Sequence, residues 1–432
     1  MRIAYITAGA AGMYCGSCMH DNTLVAELTA QGHDALLVPT YTPIRTDEKD
    51  VSQSRVFFGG INVYLQQKSR LFRRTPWFLD RLLDFRPLLR WVSRFAVKTQ
   101  AQELGELTIS MLKGEHGFQR KEIDKLSAWL KDDIRPQIIN LTNVLLSGMI
   151  EPLRQALGVP VVATLQGDDI FLESLPADCR AEAIALIRQN CANAAGFMAT
   201  SRSYADFMAP YLGLPRHKIA VIYPGLKLKG HAPRGADRNG APFTIGYFAR
   251  ICPEKGLHQL VDAFIELKRL GPLPCRLRVA GWLGENNKDY FEEQKEKLRL
   301  RGLLEDFEHF ECPDHVSKVR FLQSLDVLSV PTVYHEPKGL YVLEAWANGV
   351  PVVQPRHGSF PELVEASGGG LLVEPGDPKA LATALRDLMN QPERARDLGR
   401  RGHDAVGRRF NATVMGRETV AWYAGFLRTE QP

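Results

Sequence analysis

The sequence has no long apolar run and little cysteine. No apolar stretch of the 432-residue chain approaches the roughly 18 residues of a membrane-spanning helix. The seven cysteines are odd in number and scattered, which favours reduced thiols over a disulfide framework. A strand pattern starts within a few residues of Met1 and leaves no room for the segments of a signal peptide. We therefore expect a cytoplasmic protein.

Repeats, low-complexity tracts and nucleic-acid-stacking modules are also missing. The net charge is only +5, with no basic pattern over the whole chain, so we expect no nucleic-acid partner. Hydrophobic residues make up 45% and charged residues 24%, as in globular proteins. A chain of 432 residues exceeds one ordinary core and predicts two domains of roughly 200 residues each.

Strand and helix patterns alternate along most of the chain. Ile3–Thr7 is predicted to be a strand, and a helix is predicted from Asp21 or Asn22 to Gln31, before the next strand. This βαβ opening predicts a parallel sheet with helices on both faces. A second series of strands and helices follows the linker-like residues 226–242. The expected fold class is therefore α/β, with two doubly wound domains and a ligand cleft at the carboxyl ends of their strands.

Residues 70–136 interrupt this alternation and are predicted to form a helical insertion in the N-terminal domain. From Lys68 to Lys98 the chain carries nine Lys or Arg against two Asp, with Leu, Phe and Trp between them. The segment is either a helical subdomain packed on the first domain or an interfacial helix that contacts anionic lipid through residues 70–100. The two aspartates and two prolines interrupt a clean amphipathic stripe and favour the subdomain.

Two glutamates eight positions apart, Glu336 and Glu344, belong to the strongest motif of the chain. Between them, Gly339 precedes a predicted helix whose first N–H groups have no acceptor within it and suit a phosphate. Glu336 lies before this helix and Glu344 about one and a half turns inside it, so they should contact different parts of one ligand. With Gly-Leu at its centre and Glu-Ala-x-Ala-x-Gly-x-Pro-Val-Val after it, the segment resembles the E-x7-E motif of retaining glycosyltransferases of family 4.

A second segment, Gly246 to Leu257, places two cations between a strand and a helix. Arg250 ends the strand and Lys255 stands where the helix begins, so a planar guanidinium and a mobile ammonium can both face a diphosphate. Alone, such cations are ordinary on the surface of an α/β domain. The segment resembles the Gly-Arg-x-x-x-x-Lys-Gly motif of the same family, and the two motifs together favour a functional site.

The resemblance implies the GT-B fold, in which two Rossmann-like domains face each other across a cleft. Residues 1–228 would bind the acceptor, residues 240–410 the nucleotide sugar, and the helix in residues 411–432 would cross back to the first domain. The implied activity moves a hexose from a nucleoside-diphosphate sugar to an acceptor hydroxyl with retention of configuration. Arg250 and Lys255 would stabilise the leaving diphosphate.

The resemblance assigns catalytic roles to Arg250, Lys255 and Glu336. The implied donor-binding set is Arg250, Lys255, Cys312, Glu336, Lys338, Gly339, Leu340 and Glu344. Glu336 would contact sugar hydroxyls, Glu344 the ribose and Cys312 the base. Lys338 departs from the family, which usually has Phe there, and this cation suggests an anionic acceptor or an altered donor sugar.

A metal-binding acidic motif of the Asp-x-Asp kind is absent from the sequence. The neighbouring pairs Asp132-Asp133 and Asp168-Asp169 lack that spacing. Because cations and a helix end would neutralise the diphosphate, we expect no metal and no cofactor besides the nucleotide-sugar co-substrate.

The resemblance places the acceptor on the N-terminal domain, where the loop from Gly9 to Asn22 would face the cleft. Gly16 corresponds best to the glycine motif of the family, although the usual Gly-Gly doublet is absent. His20 lies within the same loop, and Asp168 follows a later strand. The expected acceptor-binding residues are therefore Gly16, His20 and Asp168, while the acceptor itself stays unidentified as a saccharide, a lipid or a small molecule.

Cys15 and Cys18 leave three roles open. A thioredoxin-like redox pair is one, because the motif follows a strand and precedes a helix that can lower a thiol pKa. A zinc site would need a second pair of ligands, and none is evident in the sequence. We favour a role within the acceptor loop.

Two other functions are compatible with the architecture. Sugar-nucleotide 2-epimerases handle the same donors without an acceptor, but they lack this combination of cations and paired glutamates. A non-catalytic, membrane-docked subunit would keep the fold and bind through the insertion. The intact motif residues Arg250, Lys255, Glu336 and Glu344 argue against such a subunit.

Overall fold

The computed structural model describes residues 1–9, 15–53, 57–58, 101–233, 241–271 and 274–428. The proposed lipid-contacting segment, residues 70–100, lies outside the described residues. The described part of the predicted insertion is helical over Ala101–Leu112 and Arg120–Trp129. None of the described helices is both long and apolar enough to cross a bilayer.

The chain divides into two compact units. Unit 1 contains Met1–Tyr223 and Met415–Pro432, and unit 2 contains Pro224–Val414. The last helix, Ala412–Arg428, begins in unit 2 and continues into unit 1.

Unit 1 is built on a six-stranded sheet. Its strands are β1 (Arg2–Thr7), β2 (Asp34–Pro39), β3 (Ile138–Leu141), β4 (Val161–Leu165), β5 (Gly196–Ala199) and β6 (Ile219–Val221). They stand in the order β2-β1-β3-β4-β5-β6, and every neighbouring pair is parallel. The parallel sheet predicted from the βαβ opening is thus confirmed.

Seven helices lie wholly within the described part of unit 1. They are α1 (Gly16–Ala30), α2 (Ala101–Leu112), α3 (Arg120–Trp129), α4 (Ile150–Leu157), α5 (Asp168–Glu173), α6 (Ala177–Cys191) and α7 (Arg202–Leu212). Alternate strand residues enter different hydrophobic clusters, because successive side chains of a strand point to opposite faces. Ile3 and Tyr5 belong to one cluster, and Ala4 and Ile6 belong to the other.

Unit 2 repeats the architecture with a second six-stranded parallel sheet. Its strands are β7 (Phe243–Phe248), β8 (Cys275–Ala280), β9 (Phe307–Phe310), β10 (Val327–Leu328), β11 (Val352–Pro355) and β12 (Gly370–Val373). Their order is β12-β11-β10-β7-β8-β9. The remaining helices are α8 (Leu257–Arg269), α9 (Lys288–Arg299), α10 (His315–Gln323), α11 (Leu340–Ala347), α12 (Phe360–Ser367), α13 (Pro378–Asn390), α14 (Pro392–Arg408) and α15 (Ala412–Arg428).

The first helix begins earlier than predicted. α1 starts at Gly16, whereas the sequence favoured a start at Asp21 or Asn22. Cys15 stands at the N-cap position without a side-chain capping hydrogen bond, so no capping signal marks the start. Buried side chains from Cys18 onward hold this turn against the sheet, and packing outweighs helix propensity. The second half of the predicted acceptor loop is therefore helical.

Candidate active site

The two cations of the Arg…Lys motif lie at the carboxyl edge of the second sheet. Arg250 follows the end of β7, and the chain then forms a short 3₁₀ turn, Pro253–Lys255. Gly256 precedes α8 with a φ of 74°. A Cβ at this position would overlap the carbonyl oxygen of Pro331, so the close approach requires glycine. It brings Lys255 beside the loop that follows β10.

Glu336 lies in that loop and is only 4% exposed. Its Oε2 accepts hydrogen bonds from Lys255 Nζ at 2.6 Å, Tyr334 Oη at 2.7 Å and Tyr341 Oη at 3.0 Å. Lys255 Nζ also donates to the Tyr334 hydroxyl, and it lies 4.9 Å and 5.2 Å from the ring centroids of Tyr334 and Tyr341. The result is a buried ion pair enclosed by two phenol rings, neither of which the sequence motifs indicated.

The Lys255 ammonium keeps the Glu336 carboxyl ionised. Burial acts to raise the pKa of Glu336, but the charge of Lys255 and the hydrogen bonds from Lys255 and Tyr334 outweigh it and lower the pKa to about 2. The charge of Lys338 acts in the same direction. An ionised carboxylate accepts hydrogen bonds from hydroxyl groups and has no proton to donate. Glu336 is therefore suited to hold a polyol rather than to act as an acid.

The other carboxylate oxygen of Glu336 faces the start of α11. Oε1 accepts long hydrogen bonds, 3.3 Å each, from the backbone N–H groups of Lys338 and Gly339. Gly339 has a φ of 66° and leads into the helix at Leu340. The first N–H groups of α11 therefore lie next to Glu336, where the helix dipole favours negative charge.

A second loop, which contains Gly358 and Ser359, contacts the backbone of Glu336. The Ser359 N–H donates to the Glu336 carbonyl oxygen at 2.8 Å. Gly358 has a φ of 59°, and a Cβ on it would lie 2.6 Å from the Glu336 nitrogen. The buried Ser359 hydroxyl has no hydrogen-bond partner among the described residues, and it would lie 3.5 Å from a Cβ at Gly339. A buried hydroxyl without a partner calls for a ligand or water to satisfy it.

Glu344 also forms an ion pair with a buried lysine. Lys318 Nζ, on α10, donates to Glu344 Oε1 at 2.7 Å, and the two side chains are 7% and 5% exposed. Each glutamate of the motif is thus paired with a buried lysine. The sequence analysis missed Lys318, although its apolar neighbours on a buried helix face were an available signal.

Cys312 lies near this second pair. Burial raises the pKa of the Cys312 thiol to about 11, the charge of Asp314 adds to the rise, and the charge of Lys318 opposes it. Lys318 pairs with Glu344, and the thiol of Cys312 lies 3.9 Å from the carbonyl oxygen of Ser317, the residue before Lys318. The structure therefore brings together the residues expected at the base and the ribose.

Arg250 is half-buried and acts electrostatically on Tyr334, which hydrogen-bonds to both Lys255 and Glu336. Burial and the charge of Glu336 raise the pKa of Tyr334, and the Arg250 guanidinium opposes this rise. Arg250 therefore lies within electrostatic reach of the Lys255–Glu336 pair. Of the three predicted catalytic residues, Lys255 and Glu336 are in direct contact.

Unit 1 contains a separate polar cluster at the carboxyl edge of its own sheet. Asp21, on α1, is fully buried. Its carboxylate accepts hydrogen bonds from Tyr5 at 2.9 Å, from Thr7 at 3.1 Å, from Gln166 at 3.0 Å and from the Thr142 hydroxyl. These donors come from β1 and from the segments that follow β3 and β4. One carboxylate thus joins three strands and a helix.

The predicted acceptor residues His20 and Asp168 are both 3% exposed. His20 Nδ1 lies 3.3 Å from Asp21 Oδ1. The two carboxylate oxygens of Asp168 accept the backbone N–H groups of Val144 and Gln166, each at 2.9 Å. Asp168 thus joins two loops, and its contact with an acceptor stays a prediction.

Gly16 is the first residue of α1 and lies between Cys15 and Cys18, neither of which forms a disulfide. A hydrogen bond with Cys15 and burial raise the pKa of the Cys18 thiol far above its ordinary value. Across the described ranges, no group of three or more His, Cys, Asp or Glu side chains is arranged to hold a metal ion.

Two family models match most of the chain. The model described as a glycosyl transferase 4-like domain matches residues 22–225, and the model described as glycosyl transferases group 1 matches residues 232–405. The two matches correspond to units 1 and 2. The chain is also 32% identical over 223 residues to the colanic acid biosynthesis glycosyltransferase WcaL of Escherichia coli, a match that covers 49% of this chain. The chain spans 52% of the length of that relative.

Solved structures share the architecture over the full chain. Sucrose-phosphate synthase of Thermosynechococcus elongatus aligns with a TM-score of 0.72 at 18% identity and covers 99% of both chains. HepE of Anabaena, solved in complex with UDP, aligns with a TM-score of 0.68 at 15% identity and covers 98% of this chain and 100% of its own. At such identities the likeness concerns the fold. Because both halves match glycosyltransferase domains and the whole chain has this architecture, it belongs to the group 1 glycosyltransferases, an enzyme family with the GT-B fold.

Proposed function

We propose that the chain is a retaining family 4 hexosyltransferase that moves a hexose from a nucleoside-diphosphate sugar to an acceptor hydroxyl. The observation that carries the proposal is the buried Lys255–Glu336 pair at the carboxyl edge of the second sheet. Arg250 and Lys338 both act electrostatically on this cluster. Positive charge therefore exceeds negative charge around Glu336, as binding of a diphosphate requires.

The cations act on the leaving group. When the bond between the anomeric carbon and the phosphate oxygen breaks, negative charge grows on the diphosphate. Arg250 and Lys255 stabilise this charge from fixed positions, and the N–H groups at the start of α11 add to it. The acceptor hydroxyl attacks the same face of the sugar, and its proton passes to the departing phosphate oxygen. Since the protein supplies the positive charge, the reaction proceeds without a metal.

Each of the two buried ion pairs binds a different part of the donor. Glu336, ionised by Lys255, accepts the hydroxyls of the hexose, and Gly339 and Leu340 hold the phosphates. Glu344, oriented by Lys318, accepts the ribose hydroxyls. Cys312 stands beside the base. The UDP complex of HepE supports a nucleotide donor for this chain, since the two share the fold.

The acceptor binds to unit 1 in this proposal, through Gly16, His20 and Asp168. The unusual Lys338 in the donor site favours an anionic acceptor or an altered donor sugar. The free thiols of all seven cysteines suit the reducing cytoplasm. Peripheral contact with anionic lipid through residues 70–100 would bring the enzyme to a lipid acceptor.

A thermal-shift screen with UDP, GDP and ADP tests the donor, because a ligand that binds only the native state raises its unfolding temperature. A panel of sugars on the stabilising nucleotide, assayed with and without EDTA, then tests transfer, and NMR of the product tests retention. We expect transfer to be lost in Lys255→Met and kept in Lys268→Met, whose partly exposed pair with Asp306 has a separation of 2.9 Å. Equal activity of the two variants would overturn the assignment.

A further inference from the structure

A cavity of about 480 Å³ opens at the amino edge of the sheet of unit 1. Arg2 begins β1, Gln137 immediately precedes β3, and Val159 stands two residues before β4. Because the strands are parallel, their amino ends share one edge, opposite the carboxyl edge where ligands of such sheets bind. The cavity is therefore separate from the polar cluster around Asp21.

Among the described residues, three cationic side chains and no acidic side chain line this cavity. They are Arg2, Lys131 and Arg135. No ion pair involves any of the three within the described residues, and Arg135 Nε reaches only the carbonyl oxygen of Asp132, at 3.3 Å. Elsewhere on the same unit, an exposed arginine such as Arg154 pairs with a carboxylate one turn away. The three cations are exposed and line one cavity.

The backbone at this cavity is strained. Leu130–Ile134 forms a π-helical turn, a geometry that is rare and concentrated at functional sites. Arg135 follows it with a φ of 52°, the only positive φ of a non-glycine residue in the described part of the chain. Such conformations persist where the surrounding structure enforces them, and they cluster at sites of function. Here the strained turn carries two of the three cations.

We propose that this cavity binds a phosphate monoester or diphosphate group. Three cations favour an anion with more than one charge, and a phosphate monoester carries about −1.5 to −2 at pH 7, against −1 for a carboxylate. Guanidinium groups also match phosphate oxygens in a bidentate geometry. Pro136, Leu157 and Leu427 add an apolar wall beside the cations. The volume of the cavity suits a small phosphorylated compound or the headgroup of a phospholipid.

Calorimetric titration with inorganic pyrophosphate at constant ionic strength tests the proposal. The Lys255→Met background removes diphosphate binding at the candidate active site, so that the remaining binding reports on this cavity. In that background we expect Arg2→Gln and Arg135→Gly to weaken pyrophosphate binding at least tenfold. Arg135→Gly removes the cation while glycine accepts the positive φ, so its unfolding temperature should not fall. Arg301→Gln removes one exposed cation from unit 2 and should change nothing.

Sedimentation with vesicles distinguishes the two sources of phosphate. Cavity-dependent binding to phosphatidic acid vesicles, but not to phosphatidylcholine vesicles, would identify a lipid headgroup. Binding of pyrophosphate without vesicle binding would identify a soluble phosphate. The proposal is overturned if Lys255→Met abolishes all pyrophosphate binding and the vesicles do not bind, or if Arg301→Gln weakens binding as much as Arg2→Gln.

Discussion

Removal of the Lys255 ammonium should lower the stability of the native chain as well as abolish the transfer reaction. The pKa of Glu336 is about 2, against an ordinary value of 4.5. At 1.36 kcal/mol per pKa unit, this difference corresponds to about 3 kcal/mol of stability at pH 7. Breaking a buried ion pair by removing one partner costs about 3–5 kcal/mol in general. We therefore expect Lys255→Met, which keeps the length of the apolar stem, to lower the free energy of unfolding by about 3 kcal/mol.

The pH dependence of this loss identifies its cause. A carboxyl with a lowered folded-state pKa contributes stability that is complete above its unfolded pKa and is lost as the pH falls from about 4.5 to about 2. In Lys255→Met, burial is no longer outweighed, so the pKa of Glu336 should rise above its ordinary value. The difference in stability between the native chain and the variant should therefore shrink as the pH is lowered from neutral.

Urea unfolding of unit 2, followed from pH 7 down to about pH 2, measures both effects. The double variant Lys255→Met/Glu336→Gln should recover part of the lost stability and stay inactive, because it removes the unpaired charge but not the catalytic defect. Lys268→Met, which breaks a partly exposed pair, should cost no more than about 1 kcal/mol. A cost below about 1 kcal/mol for Lys255→Met, or one that does not change with pH, would refute the reasoning.

Three further changes test other parts of the structure. Lys318→Met should destabilise unit 2 by about 3 kcal/mol and raise the KM for the donor, because it leaves Glu344 buried and unpaired; an unchanged KM in steady-state assays would contradict this. Gly358→Ala should lower kcat at least tenfold, because its Cβ would displace the backbone of Glu336. Asp168→Asn should lower the unfolding free energy of unit 1 by about 1–3 kcal/mol in urea without changing the KM for the donor. Burial raises the pKa of Asp168 to about 6 despite opposing backbone hydrogen bonds, so this group stabilises the native chain as the pH falls from about 6 towards 4.

Strand β1 was predictable because buried parallel strands are continuous apolar runs, and five of its six residues are buried. The sequence predicted a strand at Ile3–Thr7, and β1 begins one residue earlier, at Arg2. The start of α1 was not predictable, since no capping side chain marks Gly16 and the burial of the following turn depends on the finished sheet.

The motifs of unit 2 indicated Arg250, Lys255 and both glutamates, because short spacings and a helix start carry chemical meaning within one segment. Lys318 belongs to another segment, and only the order of the strands brings α10 next to α11. The contacts of Asp168 could not be predicted from the sequence either. A carboxylate after a strand suggests a ligand, but the same oxygens can serve backbone N–H groups whose positions a sequence does not reveal.

The Asp21 carboxylate has a consequence for how unit 1 assembles. Its donors come from residues as far apart along the chain as Tyr5 and Gln166, so no local piece of structure can satisfy it. Until β1, β3, β4 and α1 have come together, the carboxylate is better solvated by water than by protein. Unit 1 should therefore close its core in one late step, and its amides along these strands should exchange with solvent together, through global opening.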